Sequence, residues 1–426
     1  MAQLSNDCFA FNGPLMTVAE AEALIASRIE PVTETEHVAL HESRGRVLSQ
    51  DRNAPISLPP FDNSAVDGYA VRYCDLAASD ITRLVITDRV QAGSQAQASI
   101  GAGQAIRIFT GAPMPAGADT VFMQEDCTVD DGFVVLPAGL KPGANRRLAG
   151  EDVKQGSPVL KAGTRMSAHH IGMAAAVGLT HVDVRRRVRV ALFSTGDEVA
   201  EPGVPLPAGA IYDANRQLLR EMARTLGADV IDLGILPDNP AVLQAALRQA
   251  ALDCDLVLTS GGVSAGEADF VRLAVEAIGT LVFWRVGIKP GRPVALGVLP
   301  GGRPGAHAAF AGLPGNPVAA FVTFARIVRP LILRLSGAAY EPLIAYPVRA
   351  AFSYKKKPGR REYVRVSLRC GADGALEAVK YSQDGAGVIS SLTQTDGLAE
   401  LPEDMTDVAP GETIGFLPYA SLMGAS

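Results

Sequence analysis

The chain has little of what usually staples or metallates a fold. Its five cysteines, Cys8, Cys74, Cys127, Cys254 and Cys370, are scattered through 426 residues. Without a close pair they suggest neither a disulfide framework nor a structural zinc cluster. Six histidines offer no metal triad. His169 and His170 are adjacent in a predicted helix, so their side chains are expected to diverge. There is no Gly-x-x-x-x-Gly-Lys loop and no nucleophile elbow. Ser–His–Asp and Cys–His combinations do not occur at a useful spacing. Basic residues are not in excess: Lys and Arg total 39 against 45 Asp and Glu, for a net charge of −6. That balance argues against non-specific nucleic-acid binding. No apolar run approaches the length of a membrane span. The opening Met-Ala-Gln-Leu-Ser-Asn-Asp lacks a basic region followed by an apolar one. The expectation is a cytoplasmic protein with no nucleic-acid or membrane partner.

Turn-forming residues, by contrast, are abundant, with 43 Gly and 28 Pro. A chain this long is expected to form about two to four domains. Thr17, with Glu20 at the capping-box position, opens a predicted helix over 17–29. A β-rich region punctuated by Gly and Pro follows to about 145, with apolar runs at 84–86, 105–109 and 120–123. A second helix is predicted at 167–177, and this segment rejoins the first if the β region is an insertion. From 188 strands and helices alternate, with helices at 215–226, 240–251, 267–278 and 317–335. That pattern predicts a parallel or mixed α/β sheet covered on both faces. After Gly337 the pattern is β again. The basic run Lys355–Lys357 with Arg360 and Arg361 reads as a solvated hairpin tip.

Three glycine windows carry the chemistry. In Thr259-Ser-Gly-Gly-Val-Ser-Ala-Gly-Glu-Ala-Asp-Phe270 a strand runs into a glycine turn. Backbone N–H groups at Gly261 and Gly262 can approach an anion with no Cβ in the way. Glu267 and Asp269 place carboxylates nearby, which suits a bridging Mg²⁺ beside phosphate. Lys289-Pro-Gly-Arg-Pro293 sets Lys289 and Arg292 around a turn, and Arg285 precedes Lys289 by four residues. Counting by two puts Arg285 and Lys289 on one strand face, a clamp for anionic oxygens. In Gly312-Leu-Pro-Gly-Asn-Pro317, Asn316 and Pro317 have the form of a helix cap and first-turn proline, with Pro314 ahead of them. Ser194-Thr-Gly-Asp-Glu198 brings Asp197 and Glu198 to the same sheet end. Asp213, Asn215 and Asp238 each stand where a helix cap is equally plausible. Outside this domain, Asp62, Thr110, Arg147 and Asp152 lie in polar windows that also read as turn chemistry.

Taken in order, these windows resemble the molybdopterin molybdenumtransferase (MoeA) family, which is also similar to the C-terminal part of gephyrin. The resemblance spans about 15–420 and rests on Phe61-Asp-Asn-Ser-Ala-Val-Asp-Gly-Tyr-Ala70, Thr110-Gly-Ala-Pro113, Gly150-Glu-Asp152, Ser194–Glu198, Thr259–Asp269, Lys289-Pro-Gly and Gly312–Pro317. It implies a multidomain α/β and β subunit that forms a homodimer. The expected parts are an elongated dimerisation segment (15–50 plus 146–187), a β insertion (51–145), an α/β molybdopterin-binding domain similar to the molybdopterin adenylyltransferase fold (188–336) and a C-terminal β-barrel (337–426). The implied reaction consumes adenylyl-molybdopterin and molybdate with Mg²⁺, releases AMP and yields the molybdenum cofactor. Carried onto this sequence, Arg285, Lys289 and Arg292 hold molybdate or phosphate. Glu198, Asp238 and Asp269 serve the cation, and Gly261, Gly262 and Ser264 cradle phosphate. Pro314 and Pro317 shape the site, while Asp62, Thr110, Arg147 and Asp152 line the opposite wall across the dimer. Position 285 is Arg where relatives often carry Lys. The terminal β part departs from commoner patterns at Thr393–Asp396, which leaves a contact through Ser390 or Ser391 open. Molybdopterin adenylyltransferase and cofactor-accepting proteins are the implied partners. Adenylylation of molybdopterin by ATP, or a non-catalytic gephyrin-like scaffold, are the alternatives, and tungstate in place of molybdate stays open.

Overall fold

A computed structural model describes residues 15–94, 99–262, 270–291, 293–302 and 306–424; for 282–285 and 293 it describes the backbone only. Ser264, Asp269, Arg292 and Glu267 therefore lie outside the described residues.

The architecture is multidomain, α/β and β. At its centre is a six-stranded sheet. Its strands, in spatial order, are Asp229–Leu236, Arg189–Thr195, Leu256–Ser260, His307–Leu313, Pro293–Pro300 and Thr280–Arg285. The first four run parallel, Pro293–Pro300 runs antiparallel to them, and Thr280–Arg285, antiparallel to that strand, returns to the first direction. Along Arg189–Thr195 the side chains divide by the period of two. Val190 and Leu192 join one core, while Ala191 and Phe193 join the other. Helices α3 (Ala214–Thr225), α6 (Pro317–Thr323) and α7 (Arg329–Leu335) cover the first face. Helices α4 (Pro240–Asp253) and α5 (Phe270–Ile278) cover the second. Burying each Leu or Phe in this way contributes roughly 1.5–3 kcal/mol.

The antiparallel strand Pro293–Pro300 has no counterpart in the sequence reading. Gly297 hides it from a pattern search, and its reason is packing: a Cβ there would meet Thr280 O at 2.8 Å. The predicted helix at 317–335 is one run from α6 to α7 with a π-helical turn at Phe324–Val328 between them.

Helix α1 (Val18–Arg28) starts on the expected capping box of Thr17 and Glu20. Thr35–Ala39 pairs antiparallel with His181–Arg185, near α2 (Ala168–Ala176), so the chain comes together again on either side of the β region. His169 and His170 do not diverge: their ring centroids are 4.3 Å apart, and both rings contact Ser167 Oγ. The helix start draws both imidazoles back to its cap. The β region forms a curled six-stranded sheet in the order Thr120–Met123, Gly68–Val71, Gln104–Ile108, Thr82–Val90, Phe133–Leu136, Thr128–Asp130.

The C-terminal strands close into a barrel. Arg361–Cys370, Leu376–Lys380, Tyr346–Ala350, Thr413–Pro418 and Gly397–Leu401 follow one another, and the last pairs back with the first. The two-residue strand Ile288–Lys289 joins this barrel, parallel to Arg361–Glu362. The basic run is a solvated tip only in part, at exposed Lys355 and Lys357 beside the Pro358–Gly359 turn. Lys356 is buried and donates to the carbonyl oxygens of Glu403 and Met405. Arg361 pairs with Glu400 and Glu403, and Arg360 with Glu362. Among the described residues no helix is long and apolar enough to cross a membrane.

Candidate functional site

Three parallel strands end together, and their last residues build the site. Gly261 and Gly262 follow Ser260 with φ of +89° and +65°, a left-handed backbone that glycine adopts readily. Space is as restrictive as conformation. A Cβ on Gly262 would stand 2.6 Å from Val271 Cγ2 and 2.8 Å from Thr195 Cγ2. Gly261 N donates to Leu313 O, which sews this turn to the turn before α6.

Asn215 stitches the same point from another side. Its Nδ2 donates to Ser260 Oγ at 2.8 Å and to Gly315 O at 2.7 Å. Its Oδ1 is buried and has no hydrogen-bond partner among the described residues. Sequence spacing offered Asn215 as a cap, but Asp213 takes that role by accepting from Arg216 N. Arg216 is buried and pairs with Asp213, Asp232 and Glu201, fixing the start of α3. Burial alone would depress that guanidinium, but its bonds to Asp213 and Asp232 raise it above its ordinary range.

Asp238 is likewise released from capping. Asn239 caps α4 by accepting from Ala241 N and Val242 N. Asp238 Oδ1 instead accepts from Thr195 Oγ1 at the end of the neighbouring strand. Glu198 lies close by, against Gly196: a Cβ there would meet Glu198 Oε2 at 2.8 Å. Two carboxylates thus stand at one sheet end. Among the described residues no three His, Cys, Asp or Glu side chains gather as a metal cluster. The donor set still fits Mg²⁺, which commonly takes one or two carboxylates and completes its shell with water and substrate phosphate.

Helix α6 begins beside this turn. Asn316 occupies its N-cap position and Pro317 its first turn, as the sequence suggests, but the Asn316 side chain makes no capping bond. Pro314 O accepts from Ser260 Oγ at 3.4 Å. The Lys289 turn packs against the same helix: a Cβ on Gly291 would meet Thr323 Oγ1 at 2.3 Å and Ala319 O at 3.2 Å. The glycine turn meets the start of α6 and the Lys289 turn lies along its side.

Lys289 itself faces the barrel. Its Nζ is 3.0 Å from Glu362 Oε2 and 3.1 Å from Tyr354 OH. Glu362 is 1% exposed and also accepts from Tyr354 OH and Arg360 Nε. Burial opposes both charges, but the mutual bonds prevail, so Lys289 is raised and Glu362 lowered from their ordinary values. The shared strand face expected for Arg285 and Lys289 is not formed. Arg285 ends the antiparallel strand opposite Pro293, and the chain then leaves the sheet before Lys289 enters the barrel. Glu362 and Tyr354 were missed because their partner lies more than sixty residues away in sequence.

The remaining candidates form a separate patch on the β region. Asp62 Oδ1 accepts from Ala149 N at 2.8 Å, and its other oxygen is 3.5 Å from Arg146 Nε. Thr110 donates from both N and Oγ1 to Asp67 Oδ1. Arg147 pairs with Glu151, and exposed Asp152 follows it. The short pairing of Asn63–Ser64 with Arg146–Arg147 brings these windows together. Ser391 is buried, where it accepts from Arg365 Nε and donates to Val388 O, a structural role inside the barrel.

Three family descriptions match in sequence along the chain: the MoeA N-terminal region (domain I and II) over 16–178, a probable molybdopterin binding domain over 191–334, and the MoeA C-terminal region (domain IV) over 347–419. The chain is 38% identical to the molybdopterin molybdenumtransferase of Haemophilus influenzae across 96% of its own length and 100% of that protein. The chain belongs to the MoeA family. The Nostoc molybdopterin molybdenumtransferase is 36% identical over 94% of this chain and 93% of its own. Among solved structures, a MoeA protein of molybdopterin biosynthesis from Pyrococcus horikoshii superposes with a TM-score of 0.79 at 29% identity, covering 95% of this chain and all of that one. The glycine turn, the two carboxylates and the α6 start fall within 191–334, the segment that matches the probable molybdopterin binding domain.

Proposed function

We propose that this protein is a molybdopterin molybdenumtransferase that takes adenylyl-molybdopterin and molybdate, cleaves the phosphoanhydride and releases AMP. The observation that carries this reading is the meeting of Gly261–Gly262, Asn215 and the α6 start at one sheet end, inside the segment that matches a molybdopterin binding domain. The Gly261 N–H is already given to Leu313 O, so the rest of the turn and the helix start are the backbone donors for phosphate oxygens, with no charged side chain needed. Lys289 supplies positive charge at the side of the same helix, for molybdate or phosphate, joined by Arg285 and Arg292.

Glu198 and Asp238, with Asp269, would hold Mg²⁺, which would offset phosphate charge at the anhydride. Thr195 fixes one oxygen of Asp238 and so orients the other toward the sheet end. We assign the four parts of the subunit to 15–50 plus 146–187, 51–145, 188–336 and 337–426. In a homodimer the Asp62–Thr110–Arg147–Asp152 patch of one protomer faces the sheet ends of the other and closes the cleft. Partners of the pathway, such as the adenylyltransferase that supplies the substrate and the proteins that accept the product, would meet this dimer in the cytoplasm.

Anaerobic incubation of the purified protein with adenylyl-molybdopterin tests the reading. AMP release that requires both Mg²⁺ and molybdate supports it, and parallel reactions with tungstate set the oxyanion preference. Turnover of ATP with free molybdopterin, and none of the adenylylated substrate, would establish the adenylyltransferase instead. A dimer that neither binds the substrate nor releases AMP would be a scaffold.

A further inference from the structure

A second cavity lies far along the helical run from the site. Its volume is about 120 Å³, and it opens between α1, α7 and the link 338–343. Ile25, Ala325, Pro330, Leu333 and Leu343 make its walls apolar. Its polar edge is unbalanced. Arg329 is 6% exposed, donates from Nη1 to Glu341 O at 3.1 Å and lies 3.5 Å from Glu341 Oε2. Arg165 also pairs with Glu341, and Arg326 pairs with Glu22, to which Tyr340 OH donates. Arg334 lines the same cavity and donates to Ile29 O. Three guanidiniums thus share two carboxylates, and Arg334 adds a fourth positive charge held only by a carbonyl oxygen. Arg329 Nε is buried and has no hydrogen-bond partner among the described residues. A buried donor left unmatched is costly, as is a buried charge incompletely paired.

We infer that this cavity is a binding site for a small monocarboxylate with a compact apolar body. The carboxylate completes the charge count at Arg329, and the body fills the apolar walls. An enclosed apolar cavity of about 150 Å³ takes benzene; at about 120 Å³ this one holds most of a ring and leaves its edge at the open mouth. Burial holds the Arg329 guanidinium below its ordinary range against the pull of Glu341, so an added anion would be favoured there. The π-helical turn at Phe324–Val328 sits between this cavity and α6, and such turns recur at functional sites.

The test uses the full-length protein and 4-fluorobenzoate, followed by ¹⁹F NMR. Expected is saturable binding with a dissociation constant on the order of 1 mM or tighter. Benzoate should displace the probe, while benzamide, of equal shape and no charge, should not. Ala339→Trp adds bulk to the cavity lining from the exposed link 338–343, outside the dimerisation segment, and should weaken binding about tenfold or more while AMP release persists. Lys289→Gln should leave binding unchanged, because that lysine belongs to the other site. No saturable signal would overturn the inference. So would loss in Lys289→Gln with retention in Ala339→Trp, which would place the anion in the catalytic cleft. Displacement by benzamide as strong as by benzoate, or by inorganic phosphate alone, would equally refute the carboxylate assignment.

Discussion

Lys289 Nζ lies 3.0 Å from Glu362 Oε2, and that pair binds the edge of the α/β domain to the barrel. The lysine is half exposed, whereas the carboxylate is buried and holds three donors. An arriving oxyanion therefore competes for a lysine that is already oriented. Glu362→Gln should lower stability by about 1–3 kcal/mol at neutral pH, read from urea unfolding. Most of that loss belongs to the buried carboxylate, since an exposed ammonium contributes little.

The same pair fixes a pH dependence. Glu362 is held below its ordinary value of 4.5, so its contribution is complete above that pH and fades as acid protonates the folded state. The stability gap between wild type and Glu362→Gln should narrow as the pH falls below 4.5. Lys289 is raised above 10.5, so its own contribution fades only at strongly alkaline pH. A gap that is constant from pH 7 into the acid range would remove the charge from the argument.

Gly262→Ala combines a left-handed φ with contacts under 3 Å to Val271 and Thr195. It should cost about 1–3 kcal/mol of stability and weaken adenylyl-molybdopterin binding by a larger factor than it changes unfolding. Calorimetry of substrate binding beside a thermal melt separates the two effects.

Thr195→Val keeps the shape of a buried side chain and removes the hydroxyl that holds Asp238. The expected result is a higher Mg²⁺ concentration at half-maximal AMP release, about tenfold, with the fold retained. An unchanged Mg²⁺ titration would detach Asp238 from the cation.

Mixing two inactive variants tests the shared cleft. Asp62→Asn and Lys289→Gln, refolded together at equal concentration, should recover about a quarter of wild-type activity if each site draws one residue from each protomer. No recovery would put both residues in one chain's site or in none.

Much of this architecture was legible because period and punctuation agreed. Thr17 and Glu20 announced α1, and the alternation after 188 announced the covered sheet. The glycine turn was legible because only glycine suits its φ and its crowding. Side-chain partnerships were not. Asp238 and Asn239 are neighbours with similar capping chemistry, and only the crossing to Thr195 tells them apart. Lys289 and Arg285 seemed to share a strand face because the sequence gives no sign that the chain changes sheets at 286–288. The basic run beside Pro358 was misread in part for the same reason: Glu400 and Glu403, which neutralise Arg361, come from a strand and turn some forty residues on.

The most direct measurement is single-turnover AMP release from adenylyl-molybdopterin under anaerobic conditions, titrated with molybdate, for wild type and Lys289→Gln. Loss of one preorganised charge at a reacting anion typically costs on the order of 100-fold in rate, and the variant should show a loss of that size while its stability falls by no more than about 1 kcal/mol. Equal rates for the two proteins at subsaturating molybdate would contradict the account.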